Sequence, residues 1–242
     1  MWYGALDSPF NQFTYKELAM YVEKVLYLCR HGETESNKRK TVQGWEEPLN
    51  LQGTFQAHRL AARLAETSLA AEIPIQKIYC SSMMRALQTA NLLSVPLGLV
   101  PTPTRYLAEV THPTHLQGVA TSDPAFLAYG KERARVFAEG NVQVSDEETF
   151  AMAHARAKKV LRFLLDGPEQ RVVVVTHGMF LTYLINTIRH GDDFTPAMFL
   201  RSSEMFGNCA VAKVEYGTYK GYLRGGQKGW NVWTGDTSHL AK

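Results

Sequence analysis

Three short runs of apolar residues stand out along the chain, and each ends abruptly at polar residues. They cover residues 25–29 (VLYLC), 75–80 (IQKIYC) and 172–176 (VVVVT). The run of four valines shows no alternation of apolar and polar positions, which is typical of a strand that is covered on both faces. We therefore predict a mostly parallel central sheet with helices packed on either side.

Longer amphipathic segments lie between these runs and predict helices. They cover residues 54–66, 83–93, 150–165 and 179–188. We expect a capping box before the third of them, in which Glu148 reaches back to Ser145. The alternation of strands and helices predicts an α/β fold, a three-layer α/β/α sandwich whose parallel strands are joined by right-handed crossovers.

Two parts of the chain do not follow this alternation. Residues 1–22 indicate an N-terminal extension, and a short helix could cover 14–23. Residues 110–145 are interrupted by prolines and glycines, which predicts a long irregular cap or lid over a site. Two more strands are expected at 210–216 and 219–224, so that residues 23–242 form a single domain with the cap as its insertion.

Composition narrows the classes of function. The 242 residues are 45% apolar with a net charge of +3, which is ordinary for a globular core and favours neither nucleic acid nor a membrane as a partner. The basic run at 38–40 fits an exposed loop, with the steering of an anionic substrate as the alternative. Cys29, Cys80 and Cys209 lie far apart beside apolar runs, which favours buried thiols over disulfides. Because neither a signal peptide nor a membrane span is recognisable, we expect a cytoplasmic protein.

Cationic and imidazole side chains follow all three predicted strands at their carboxyl ends. Arg30 and His31 follow the first strand, Arg85 lies in the turn after the second, and His177 follows the third. Ligands of an open α/β sheet bind outside this edge, so we expect the four side chains to converge. Guanidinium groups match the oxygens of a phosphoryl group, and the helix after His177 is expected to add free backbone N–H groups. Each residue alone has an ordinary structural explanation, but their shared position favours a phosphate site.

The order of motifs resembles that of the histidine phosphatase superfamily, which includes the cofactor-dependent phosphoglycerate mutases. The similar segments are LCRHGETESN at 28–37, QGWEEPLNLQG at 43–53, SSMMRALQTA at 81–90, LAEV at 107–110, VTHGM at 175–179 and GDTSHL at 235–240. Residues 23–242 are thus similar to a single histidine-phosphatase-like domain.

By this resemblance His31 would be the nucleophile that takes the phosphoryl group, while an acceptor such as a backbone carbonyl holds its second ring nitrogen. Arg30, Arg85 and His177 would neutralise the charge on the equatorial oxygens. Glu109 would give a proton to the leaving oxygen and then activate water. The phosphate cradle would be completed by Asn37, Gln43, Gly44 and Gly178. Neither a metal nor another cofactor is expected, because these groups already balance the charge of the phosphate.

Two other groups of residues offer alternatives at this site. Glu33 is a rival of Glu109 as the acid, and its other interpretation is to orient Arg30 or Arg85. His112 and His115, in the segment HPTH, would suggest a metal pair, but they lack carboxylate or thiol partners and favour a solvated lid loop.

The sequence departs from the family pattern around the substrate rather than at the phosphate. Ser82 and Met83 stand where a proline or aspartate is common, and Thr41 stands where arginine is frequent. The tryptophan and glycine run typical of mutases is not found after Glu109. We therefore predict a phosphatase that hydrolyses a small phosphomonoester through a phosphohistidine intermediate. The alternatives are a cofactor-dependent phosphoglycerate mutase and a phospho-ligand binding protein without turnover, and a homodimer is left open.

Overall fold

A mixed sheet forms the centre of the structure, a computed structural model that describes residues 20–137, 142–202, 206–219 and 227–240. Six strands are found in these ranges: β1 Met20–Arg30, β2 Lys77–Ser81, β3 Pro101–Thr104, β4 Arg171–Thr176, β5 Val211–Tyr219 and β6 Lys228–Asp236. Their order is β3-β2-β4-β1-β5-β6. The first four in this order are parallel, whereas β5 and β6 are antiparallel to their neighbours. The predicted α/β sheet is therefore confirmed, with two antiparallel strands at one side.

Helices cover both faces of this sheet. They are α1 Glu35–Arg39, α2 Leu51–Leu69, α3 Met84–Leu97, α4 Pro124–Phe137, α5 Phe150–Asp166, α6 Gly178–His190 and α7 Pro196–Arg201. Along β4, Val172 and Val174 pack with residues of α5 and α6, while Val173 and Val175 pack with residues of α2 and α3. Successive residues of a strand point to opposite faces, so an unbroken apolar run is what a strand between two helical layers requires. The three cysteines are free and buried, as the sequence predicts.

The N-terminal boundary differs from the prediction. Residues 20–23 belong to β1 instead of the expected helix over 14–23, because β1 extends along β5 as far as the pair Met20 and Tyr219. Residues 1–19 lie outside the described residues. At the other end, residues 220–224 of the predicted second strand also lie outside them, and β6 is a strand that the sequence did not predict.

The predicted capping box before α5 is wrong. The helix is capped by Thr149, whose hydroxyl accepts a hydrogen bond from the Met152 N–H over 3.2 Å. Glu148 does not reach back to Ser145, because Arg156 on the next turns of α5 binds both of its oxygens at 2.8 and 2.6 Å. A guanidinium fork is a stronger partner for a carboxylate than one backbone N–H.

The cap over 110–145 is more ordered than the irregular stretch that we expected. It contains the fourteen-residue helix α4, which begins at Pro124. Proline is well suited to the first turn of a helix. Pro124, which in the sequence indicates a break in regular structure, therefore begins α4. The cap is joined to segment 40–42 by three backbone hydrogen bonds: Val42 N–H to the Val119 carbonyl, Gly118 N–H to the Val42 carbonyl and Thr121 N–H to the Lys40 carbonyl.

Within the described ranges, no helix is both long enough and apolar enough to cross a membrane.

Candidate active site

The carboxyl ends of β1, β2 and β4 meet at one cavity of about 300 Å³. Arg30, His31 and Arg85 line it together, as the sequence predicts from their positions after the strands. His177 is fully buried beside them, and its ring centroid lies 5.0 Å from that of His31. Three larger grooves, of about 360, 490 and 550 Å³, lie elsewhere and contain none of these side chains. The chemistry is therefore concentrated in the smaller cavity.

The two ring nitrogens of His31 have different partners. Its Nδ1 lies 2.6 Å from the carbonyl oxygen of Gly32, and its Nε2 accepts a hydrogen bond from Nε of Arg85 over 3.2 Å. Since a carbonyl can only accept and a guanidinium can only donate, the proton belongs on Nδ1 and the lone pair on Nε2. Burial, and then the charges of Arg85 and Arg30, lower the pKa of His31 well below its ordinary value. The imidazole is therefore neutral at pH 7.

Close backbone packing positions His31. A Cβ on Gly32 would collide with the carbonyl of Gly53 in the first turn of α2, and a Cβ on Gly53 would collide with Glu33. Only residues without a side chain allow these two segments to touch. The N–H of Gly32 also donates to the hydroxyl of Thr89 on α3 over 3.1 Å, so two helices fix the turn that follows β1.

Arg85 is buried and its donors are spread over several acceptors. Besides His31, it donates from Nη1 to the carbonyl of Gly44 over 2.8 Å. Burial lowers the pKa of Arg85 to about 10, with Glu109 acting in the opposite direction. The guanidinium is therefore still charged at neutral pH, and Gly44, which we expected in the phosphate cradle, orients this arginine through its carbonyl group.

Arg30 and His177 each have a buried nitrogen without a hydrogen-bond partner. Arg30 donates from Nη1 to the carbonyl of Phe206 over 2.6 Å, while its Nε is unpaired. His177 lies 2.8 Å from the hydroxyl of Ser81 through Nε2, while its Nδ1 is unpaired. Burial, followed by the charge of Arg85, lowers the pKa of His177 well below its ordinary value. A Cβ on Gly178 would lie 3.4 Å from Nε of Arg30, so this glycine lets the start of α6 approach the guanidinium.

Glu109 lines the cavity and is held by the start of α6. Its Oε1 accepts from the Phe180 and Val110 N–H groups at 2.8 and 2.9 Å, and its Oε2 accepts from the Met179 N–H at 3.1 Å. The helix N–H groups that we expected to be free are thus occupied by this carboxylate, because a negative group is stabilised at a helix N-terminus. This corrects the sequence prediction.

Glu33 is placed differently from Glu109. Its Oε1 accepts a hydrogen bond from Nδ2 of Asn50 over 2.8 Å, and it is not among the residues that line the cavity. It therefore supports the turn before α2, and the geometry favours Glu109 over Glu33 as the acid.

Asn37 and Gln43 line the cavity and share one partner, Thr34. The Thr34 hydroxyl accepts from Nε2 of Gln43 over 2.7 Å, and the Thr34 N–H donates to Oδ1 of Asn37 over 3.3 Å. Asn208, a residue that the sequence analysis missed, donates from Nδ2 both to this same Asn37 oxygen at 3.0 Å and to the His31 carbonyl at 3.2 Å. One amide therefore joins the nucleophile candidate to the cradle.

The remaining candidates do not form a second site. His112 lines the cavity, but His115 is exposed and does not. Among the described residues, no group of three or more His, Cys, Asp or Glu side chains is arranged to hold a metal ion. The basic run at 38–40 is exposed at the end of α1, where Arg39 lies 3.8 Å from Glu35.

Comparison with known proteins identifies the family of this chain. The model of the histidine phosphatase superfamily (branch 1) matches residues 26–227. The chain belongs to the histidine phosphatase superfamily. It is similar to the probable phosphoglycerate mutase GpmB of Enterobacter sp. (strain 638), with 28% identity over 222 residues that cover 89% of this chain and 94% of that protein. It is also similar to phosphoglycerate mutase-like protein 4 of Arabidopsis thaliana, with 28% identity over 68% of this chain and 70% of that protein.

Solved structures of phosphatases share the fold of this chain. A mycobacterial glucosyl-3-phosphoglycerate phosphatase complexed with VO3 has a TM-score of 0.66 at 22% identity, covering 88% of this chain and 100% of that chain. Phosphoserine phosphatase from Entamoeba histolytica in complex with phosphoserine has a TM-score of 0.69 at 21% identity, covering 90% and 100%. These likenesses confirm the fold predicted from the sequence, and the match of the family model confirms the predicted superfamily.

Proposed function

We propose that this histidine phosphatase hydrolyses phosphomonoesters through a phosphohistidine formed on Nε2 of His31. The observation that carries the proposal is the pair of contacts on the imidazole of His31. Because the Gly32 carbonyl holds Nδ1–H, the lone pair is on Nε2, next to the guanidinium of Arg85. A neutral imidazole in this tautomer is a nucleophile at pH 7, and the adjacent positive charges attract the phosphate.

In the first half-reaction, Nε2 of His31 attacks phosphorus in line with the ester oxygen, and the bond between phosphorus and that oxygen breaks. The protonated form of Glu109 gives its proton to the leaving oxygen, which departs as an alcohol, and the ionised form that the helix N–H groups stabilise is the form needed in the second half-reaction. We assign this proton to Oε2, since Oε2 accepts one of the three backbone hydrogen bonds and Oε1 accepts two. In the second half-reaction, the Glu109 carboxylate takes a proton from water, the oxygen of that water attacks phosphorus, and the P–N bond breaks to release inorganic phosphate.

Arg30, Arg85 and His177 hold the oxygens of the transferred group in this proposal. A buried donor without a partner is costly, and both Nε of Arg30 and Nδ1 of His177 are unpaired. We place the ring proton of His177 on Nδ1, which is the tautomer in which the Ser81 hydroxyl donates to Nε2. An oxyanion placed beside these groups supplies the acceptors that they lack. Asn37 and Gln43 complete the cradle from the other side of the cavity.

A phosphoglycerate mutase is the second candidate, because the curated relatives at 28% identity carry that name. A mutase holds its substrate's carboxylate and second phosphate with cationic side chains. Lys131, Arg133 and Arg135 on α4 are the cations of the cap, and none of them lines the cavity. The hydrolase is therefore the function that the site supports best. The buried free thiols support the cytoplasm as its location.

The test of the proposed function is to trap the intermediate. Brief incubation with a ³²P-labelled monoester should give a protein adduct that is labile to acid and stable to base. The His31→Ala variant should lose the adduct and turnover, whereas His58→Ala, which changes an exposed histidine on α2, should retain both. Wild-type turnover in His31→Ala would overturn the proposal.

A further inference from the structure

The active-site cavity has an outer half that the transfer of phosphate does not use. It lies beyond Arg30, His31 and Arg85 and is lined by residues of the cap and of segment 41–45. Its lining includes Trp45, Thr111, His112, Gln117, Phe126 and Asp146. Two of these side chains are aromatic, and the others carry hydroxyl, amide, imidazole or carboxylate groups. This is where the leaving group of a phosphomonoester must lie.

The outer half contains no positive charge among the described residues that line it. Arg30 and Arg85 are the cations of the lining, and both are at the phosphate end. Burial, and then the charge of Arg133, lower the pKa of His112 to about 4, so its ring is neutral at pH 7.

Asp146 places a negative charge at this outer end. Its Oδ1 accepts from the Thr114 N–H over 3.0 Å, and its Oδ2 accepts from the Thr114 hydroxyl over 2.5 Å. These bonds fix the carboxylate at the rim of the cavity without neutralising it. A second anion on the substrate would meet this charge in the outer half of the cavity, where the described lining has no cation to balance it, and like charges in contact are unfavourable.

On the basis of the proposed function, we infer that this enzyme selects monophosphate esters of uncharged, hydroxyl-bearing alcohols about one sugar ring in size. Asp146, His112 and Gln117 are the residues that determine this specificity. A cavity of about 300 Å³ has the volume of roughly ten water molecules, enough for a phosphate and one small ring. Hydroxyl groups both donate and accept hydrogen bonds, as the Gln117 amide and the threonine hydroxyls also do.

The polar and apolar parts of the outer half suit the two kinds of surface on such an alcohol. His112 lines this half of the cavity, and an imidazole is a polar group that can form a hydrogen bond with a hydroxyl of the leaving group. Trp45 and Phe126 offer flat apolar faces to the C–H groups of a ring, and binding sites commonly combine such faces with a few placed polar groups.

Two exposed groups near the cavity, Lys40 and Arg105, carry positive charge and are the alternative binding partners of an anionic substrate, together with Arg133, whose charge lowers the pKa of His112 from outside the lining. Lys40 directly precedes Thr41 of the lining, and the guanidinium carbon of Arg105 lies 5.9 Å from the ring centroid of Trp45. Neither side chain lines the cavity, and both are exposed to solvent. Asp146 is exposed as well, but it lines the cavity, so we expect Lys40 and Arg105 to contribute less than Asp146 to the choice of substrate.

The test compares two pairs of substrates that differ only by a carboxylate in place of a hydroxymethyl group. The pairs are glycerol 3-phosphate with 3-phosphoglycerate, and glucose 1-phosphate with glucuronic acid 1-phosphate. We expect the uncharged member of each pair to have a kcat/KM at least about tenfold higher. Equal values, or a preference for the carboxylates, would overturn the inference.

Variants assign the effect to residues. Asp146→Asn keeps acceptor and donor atoms for Thr114 but removes the charge, so the preference should fall severalfold. Asp192→Asn is the matched control, because it changes an exposed carboxylate that pairs with Lys158 far from the lining, and it should leave the preference unchanged. Lys40→Ala should also leave it unchanged. If the wild type preferred 3-phosphoglycerate and this preference disappeared in Lys40→Ala, the basic run would bind the carboxylate of the substrate. That result would contradict the inference.

A binding measurement separates this inference from the proposed function. Calorimetry on the His31→Ala variant gives the relative affinities of glycerol 3-phosphate and 3-phosphoglycerate without any turnover. Tighter binding of the uncharged ester there, together with no hydrolysis by the wild type, would support the specificity and reject the phosphatase. Hydrolysis that depends on His31 but shows no preference within the pairs would reject the specificity alone.

Discussion

Nε of Arg85 donates to Nε2 of His31 over 3.2 Å, and both side chains are only 1% exposed. This contact fixes the proton on the other ring nitrogen and places a positive charge beside the lone pair. The same guanidinium is anchored by the Gly44 carbonyl, so its plane cannot rotate away. Arg85 thereby connects the segment after β1, the loop at 44 and α3 at the point where phosphate is expected.

Replacing Arg85 should therefore damage turnover more than binding. We expect Arg85→Ala to lower kcat/KM by at least about 100-fold, because the contact strengthens as charge develops in the transition state. Arg85→Lys should restore only part of the activity, since an ammonium cannot bind Gly44 and a phosphate oxygen in the geometry of a fork. Steady-state kinetics on these variants, with the exposed Arg162→Lys as the control, measures the effect. Full activity in Arg85→Lys would contradict it.

The pH dependence of the reaction should reflect the depressed pKa of His31. A histidine whose pKa lies well below its ordinary value stays neutral as the pH falls through 6.5. We therefore expect no loss of kcat/KM from protonation of His31 near pH 6.5, with any such loss displaced to more acidic pH. ¹⁵N NMR of the labelled imidazole should show Nδ1–H at pH 7. In Arg85→Gln the pKa of His31 should rise, because a charge that lowers it is removed. A titration of His31 near its ordinary value in the wild type would disprove the expectation.

Asn208 is predicted to be a positioning residue, because its amide joins the His31 carbonyl to Asn37. Asn208→Ala should lower kcat by about tenfold or more with a smaller change in KM, since a small displacement of the nucleophile weakens in-line attack. Asn208→Asp loses both donated bonds and should resemble the alanine variant. The thermal midpoint distinguishes positioning from general damage: loss of kcat with an unchanged midpoint supports the prediction. A thermal midpoint that falls together with kcat would indicate a purely structural role for Asn208.

Removal of metal ions should leave the activity unchanged. Arg30, Arg85 and His177 supply the positive charge and donors that a bound Mg²⁺ would otherwise provide to the transferred group. Activity is compared before and after exhaustive EDTA treatment and gel filtration. Loss of activity that zinc or magnesium restores would direct attention to His112 and the carboxylates of the cap.

The sequence predicts the phosphate end of the site better than the rest because that end follows from strand ends. Arg30, His31, Arg85 and His177 each come after a run whose apolar pattern marks a buried strand, and parallel strands bring their carboxyl ends together. No such pattern leads to Asn208. It precedes an antiparallel strand, and an amide side chain in a loop has no periodic signal, although β5 begins at the same edge of the sheet.

The contacts of Glu109 illustrate a second limit of the sequence. The resemblance points to this residue. Its hydrogen bonds to Met179 and Phe180, however, join positions about seventy residues apart, and they depend on the path of the segment that leads from β3 into the cap. Arg156 stabilises this segment by donating to the carbonyls of Tyr106 and Ala108 at 2.9 and 2.8 Å. Such side-chain to backbone contacts are set by tertiary packing and cannot be derived from local propensity.

Hydrolysis and mutase activity can be separated by following two products. A mutase must keep water from its phosphohistidine while the bound intermediate reorients in the site. It also needs cations that bind the substrate's carboxylate and second phosphate. The cap of this protein has its cations on α4, but Arg135 is paired with Glu132 at 2.7 Å and none of them lines the cavity. With 3-phosphoglycerate and a catalytic amount of 2,3-bisphosphoglycerate, we expect inorganic phosphate to form faster than 2-phosphoglycerate.

The cations of α4 supply the control for this experiment. Lys131→Ala and Arg135→Ala change exposed side chains outside the lining, so the ratio of phosphate to isomer should be the same as in the wild type. If the isomer formed much faster than phosphate, and these variants abolished its formation, α4 would have to close over the cavity during turnover. Water would then be excluded from the phosphorylated His31, and the protein would be a mutase like the relatives whose name suggests that reaction.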